Sequence, residues 1–135
     1  MAHSREIIER YEAKPFEPKH KLLLISIGVS IAGEKQLSIY DATRYAWKIS
    51  PARANQAEYI LAHNRGVVVG VFEPLGPWIK ATPKNFPTLT TEEWNGRWGF
   101  NAIEAPPNIQ SQYFRKRIPD KYRKPGAANP VRFIF

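Results

Sequence analysis

The sequence predicts a small α+β domain built on a curled mixed sheet or a β-barrel, flanked by two or three short helices. Three observations carry this. Five or six short apolar runs alternate irregularly with helix-like stretches, which is the pattern of a mixed layer architecture. Two of those runs, Tyr59–His63 and residues 66–73, are separated by the turn-prone Asn-Arg-Gly at 64–66 and so form a hairpin. A chain of 135 residues with 43% hydrophobic and 13% aromatic residues is too apolar to be disordered and is the size of one domain.

The hairpin organises the rest. Val67, Val68, Val69, Val71 and Phe72 suit a pleated, half-buried surface. Gly66 is placed to take positive φ in the turn, and Gly70 marks a bulge or a close approach to the strand backbone. Pro74, Gly76 and Pro77 end the strand before Trp78.

From the start of the chain, Ser4 can cap a helix over about 5–13, which Pro15 and Pro18 end in an extended linker. Residues 1–20 are therefore expected as helix and linker, and 21–135 as the domain. KLLLISI at 21–27 reads as a central strand, and residues 28–37 as a loop. Ser38 caps a helix through about Lys48, with Asp41 in the favourable first turn and Tyr40, Thr43 and Trp47 along one side. Ser50-Pro51 opens a second short helix over about 51–57. Trp78–Ala81 is a short strand, and 82–95 a Pro- and Thr-rich surface loop. RWGFNAI at 97–103 alternates as a strand with Trp98 and Phe100 on one face. Asn108–Tyr113 forms at least one helical turn, and Val131–Phe135 a last strand tied into the sheet.

Charge is unevenly spread. Residues 1–112 hold 13 Lys/Arg against 11 Asp/Glu, whereas residues 113–135 hold seven Lys/Arg against Asp120 alone. A net +6 in 23 residues favours polyanions, because each neutralised phosphate releases condensed counterions. Arg115, Lys116, Arg117, Lys121, Arg123 and Lys124 are the expected phosphate contacts, and DNA or RNA the expected partner. Aromatic faces bind unstacked bases while cations hold phosphates, and three of the four Trp lie beside loops or glycines. Tyr40, Arg44, Trp78 and Trp94 are accordingly expected to line a recess beside the hairpin that accepts one base. The plainer alternative is that Arg44 pairs with a carboxylate such as Asp41 or Glu73 and Trp78 caps the barrel.

Enzyme signatures fail one by one. Gly28 and Gly33 have P-loop spacing, but Glu34 stands at the lysine position, where its carboxylate would repel a phosphate, and Lys35 at the Ser/Thr position. His3, His20 and His63 lack metal-ligand spacing, and the chain has no cysteine, so no metal or cofactor is expected. No serine-nucleophile elbow occurs, and no placed pair of carboxylates can be named. The N-terminal ten residues lack a secretory apolar core, and no apolar run is long enough to span a membrane, so a cytoplasmic protein with no membrane contact is expected.

The combination of YDATRYAW at 40–47, ARANQAEYILAHNRGVVVGVF at 52–72, GRWGF at 96–100 and GAANPVRF at 126–133 resembles a bacterial module of unassigned function. That module also occurs behind GIY-YIG nuclease domains of the LEM-3-like type. The likeness runs from about residue 22 to residue 135 and implies a nuclease as partner protein, but the nuclease signature itself is absent. The order of elements is also similar to PUA-like barrels of the EVE, ASCH and SRA group, which bind RNA or modified DNA. The expected function is therefore non-catalytic nucleic-acid binding that reads a flipped or modified base. Its rivals are a nucleotide- or base-processing hydrolase and a protein-interaction module in a phage-defence or mobile-element setting.

Overall fold

The computed structural model describes residues 13–27, 39–44, 47–87, 96–123 and 130–135. The expected first helix, the P-loop-like glycines, Trp94 and Lys124 lie outside them. In order, the elements are β1 (Leu22–Ser26), α1 (Ile39–Arg44), α2 (Pro51–Ala54), β2 (Tyr59–Asn64), β3 (Val67–Pro74), β4 (Ile79–Lys80), β5 (Trp98–Gly99), β6 (Ala102–Glu104), α3 (Pro107–Tyr113), a 3-10 turn (Asp120–Tyr122) and β7 (Val131–Ile134).

This is an α+β domain with a mixed five-stranded sheet, ordered β6-β3-β2-β1-β7. β1 and β2 are parallel, with α1 and α2 between them in the chain, and the other neighbours are antiparallel. The sheet is open, with β6 and β7 at its edges, so the barrel expected as one alternative does not close. β4 and β5 make a separate two-stranded ribbon.

Both faces of the sheet are covered, which explains why LLLI in β1 is apolar at every position rather than alternating. Leu23, Ile25, Ile60, Ala62 and Phe72 pack on one side with Ala42, Ala54, Trp78 and Phe100. Leu22, Leu24, Leu61, Val68 and Val71 pack on the other with Phe16, Ile109, Tyr113 and Ile118. The expected linker is part of this second layer. Phe16 is buried edge-on against Tyr113, at 5.3 Å between ring centroids, and Tyr113 Oη accepts from the Lys19 backbone N–H at 3.1 Å.

Two elements differ from expectation. The helix expected through about Lys48 is described over Ile39–Arg44, and Trp47 lies outside it, exchanging two backbone hydrogen bonds of 2.9 Å with Trp98. The Trp47 indole N–H donates to Thr43 O at 2.7 Å, the carbonyl that the Trp47 backbone N–H would take in a continued helix. The single strand expected over 97–103 is split. Trp98–Gly99 pairs with β4, whereas Ala102–Glu104 pairs with β3. Phe100, at the break, is fully buried against Trp78 at 4.8 Å, while Trp98 is half-buried.

No helix among the described residues is long and apolar enough to cross a membrane.

Candidate nucleic-acid interface

The β2–β3 turn contains two residues, Arg65 with φ 52° and Gly66 with φ 83°. Two successive positive φ angles are those of a type I′ turn, whose twist matches the strands it joins. Just beyond it the ladder slips. Ala62 faces Gly70 and His63 faces Val68, so Val69 is the extra residue of a bulge. A Cβ on Gly70 would lie 2.9 Å from the Phe72 ring and 3.0 Å from Ile39 Cγ2, so the close approach expected there is made by the protein itself.

The basic segment is built onto this turn rather than trailing from the domain. Arg115 N–H donates to Val68 O at 2.9 Å, Val68 N–H to Lys116 O at 2.9 Å, and Ile118 N–H to Gly66 O at 2.8 Å. Arg117 bridges Val67 on one side and Pro15 on the other. After the 3-10 turn, Arg123 brings its guanidinium back against Gly66, where a Cβ would sit 2.5 Å from Nη1. Backbone pairing thus gathers Arg65, Arg115, Lys116 and Arg117 at one end of the hairpin, and the Arg123 side chain joins them. Arg65, which the charge count alone does not single out, joins the set because it occupies the turn. Arg115 stacks on the exposed Phe114 ring at 5.4 Å, and Lys121 lies 5.0 Å from the Tyr122 ring.

Arg65 and Arg115 share a further property. They are the two non-glycine residues with positive φ among the described residues. An L-residue pays roughly 1–2 kcal/mol for left-handed backbone, which is why such positions favour Gly or Asn. Arg115 follows α3 at the position where a helix end favours glycine. Here both positions carry guanidinium groups.

His63 lies at the same end of β2 and is mostly buried. Burial, with the charge of Arg123 adding to it, pushes its imidazole down to about 4. It is neutral at pH 7 and adds nothing to the positive field.

The residues expected to form a base recess are partly brought together. Tyr40 and Arg44 are adjacent, with the guanidinium 4.7 Å from the Tyr40 ring and 5.1 Å from the Phe86 ring. Arg44 also donates to Asn101 Oδ1 and lies 3.7 Å from Asp41 Oδ1. Trp78 is in the core, 4% exposed, and its backbone N–H donates to Asn55 Oδ1 at 2.7 Å. Tyr40 lines a cleft of about 560 Å³ along the outer side of β3, with Gly70, Phe72, Glu104, Gln110 and Phe114. Neither Arg44 nor Trp78 lines it.

A second cleft, of about 430 Å³, lies at the opposite edge of the sheet and is lined by Lys48, Ser50, Arg53 and Arg132. Arg53 stacks there on the Phe133 ring at 4.3 Å.

Among the described residues no group of three His, Asp or Glu side chains is placed to hold a metal ion.

Comparison with protein-family models, with curated proteins and with solved structures finds no match for this chain.

Proposed function

We propose that this protein is a nucleic-acid-binding domain that does no chemistry itself and holds the phosphate backbone at the tip of the β2–β3 hairpin. The observation that carries this is the left-handed backbone of Arg65 and Arg115, within a cluster completed by Lys116, Arg117 and Arg123. Strained positions persist where the surroundings enforce them, and they concentrate at functional sites. Arginine is costly at both positions for the fold, and phosphate binding supplies the reason for it. Pairing of residues 115–118 with β3 also fixes these side chains' backbones before a ligand arrives, so less ordering entropy is lost on binding.

The reading does not need the PUA-like barrel, since an open sheet presents a hairpin tip equally well. On the resemblance to the module found behind GIY-YIG domains, a nuclease is the expected partner protein.

The test is affinity for a mixed-sequence oligonucleotide as a function of salt. Log affinity should fall linearly with log salt, with a slope of about −0.7 to −0.9 per phosphate contact. Replacing Arg115 and Arg117 with Ala should weaken binding to all sequences alike and flatten that slope. Unchanged affinity at low salt in this variant would remove the proposal.

A further inference from the structure

The cleft along β3 differs in chemistry from the basic tip it adjoins. Among the described residues its one charged lining side chain is Glu104, and no described residue forms an ion pair with that carboxylate. A carboxylate repels phosphate, which sets this lining apart from the cationic tip. The walls are apolar and aromatic, from Ile39, Val69, Phe72 and Phe114, and about 560 Å³ is ample for one heterocycle.

The polar groups in the cleft have their own bias. Gln110 already commits its amide nitrogen to two carbonyls, Val71 O at 3.0 Å and Ala105 O at 3.1 Å, which leaves Oε1 as what it can offer a ligand. Glu104 offers acceptors alone. Tyr40 Oη accepts the Ala102 backbone N–H at 2.9 Å and keeps its own proton to donate. Two acceptor groups and one donor match a base that carries an exocyclic amine. Uracil and thymine lack that amine. Guanine, with adjacent N1–H and N2–H donors, is the best match to a carboxylate.

Position supports the match. Phe114 lines the cleft, and the next residue, Arg115, belongs to the basic tip and stacks on it. Gly70 in the cleft lies three residues from Val67 at the tip, about 10 Å along the strand.

The geometry points to this cleft as a pocket for one unstacked, amine-bearing base, guanine foremost, read by Glu104 and Gln110 between the Tyr40, Phe72 and Phe114 rings. The inference deepens the nucleic-acid reading and rests on it, but it can fail separately.

Uncharged nucleosides separate the two, because they carry no phosphate for the tip to hold. Guanosine, adenosine, cytidine, uridine and thymidine are titrated into isotope-labelled protein while backbone amide resonances are followed. The amine-bearing nucleosides should shift the amides of Val69, Gly70, Glu104 and Phe114, with guanosine binding about tenfold more tightly than uridine or thymidine. Glu104→Gln should abolish that preference while leaving the rest of the spectrum folded. Equal binding of all five nucleosides, shifts confined to other residues, or no shift at all would overturn the pocket. Nucleoside selectivity without any salt-dependent oligonucleotide binding would keep the pocket and remove the backbone track.

Discussion

The Arg123 guanidinium rests on Gly66, at a distance that leaves no space for a Cβ on the turn residue. The turn and the cation are therefore one unit, although 57 positions separate them in the chain. Gly66→Ala meets two penalties, a left-handed backbone and a displaced arginine. It should lower stability by roughly 1–2 kcal/mol in chemical denaturation. It should also weaken oligonucleotide binding, whereas an alanine at the exposed Gly76, also at positive φ, should cost stability and leave binding intact.

Arg65 and Arg115 offer the converse experiment. Asn at 65 and Gly at 115 suit the left-handed backbone better than arginine does. Arg65→Asn and Arg115→Gly should each raise the unfolding free energy in chemical denaturation, by up to about 1 kcal/mol, while reducing oligonucleotide affinity and salt slope. A variant that loses both stability and binding would show that the arginines act through the fold.

His63 gives a pH signature. Its folded value of about 4 lies below the 6.5 of an unperturbed imidazole, so between these the unfolded chain binds the extra proton. Its contribution to stability is complete above about pH 6.5 and is lost as pH falls toward 4, amounting to about 3 kcal/mol at most. Arg123→Ala should raise the His63 value only part of the way, because burial is the larger cause. Titration of the imidazole by nuclear magnetic resonance in both proteins checks this, and a polyanion seated on Arg123 should raise the value in the wild type.

Phe100 and Trp98, expected on one face of a strand, differ in burial. Phe100→Ala empties a fully buried site against Trp78 and should cost about 3–5 kcal/mol. Trp98 is half-buried and holds Trp47 through its backbone, so Trp98→Ala should cost less than Phe100→Ala in the same denaturation series.

Local chemistry made much of the fold legible. The β-branched run at 67–71, the Arg-Gly turn and the prolines at 74 and 77 mark β3 and both its ends, and Ser50-Pro51 marks α2 down to its cap, where Ser50 Oγ accepts the Arg53 N–H. What stayed hidden depends on partners distant in sequence. Alternation in RWGFNAI cannot reveal that its two halves pair with different strands, nor can KRI at 116–118 reveal a bridge to Val67. The basic patch was visible as charge, but its focus on Arg65 and the turn was not. The β3 cleft draws on residues near 40, 70, 104, 110 and 114, and no window of sequence contains that set.

Residues 115–118 also close off the start of the β3 edge, where VVVGVF would otherwise present bare backbone and a run of β-branched side chains with no charge. Such a run is what cross-β stacking requires. Arg115 and Arg117, two of the proposed phosphate contacts, thus sit on a segment that covers backbone another strand would otherwise pair with. Loss of residues 115–118 would remove three basic side chains and expose an adhesive strand edge in one step.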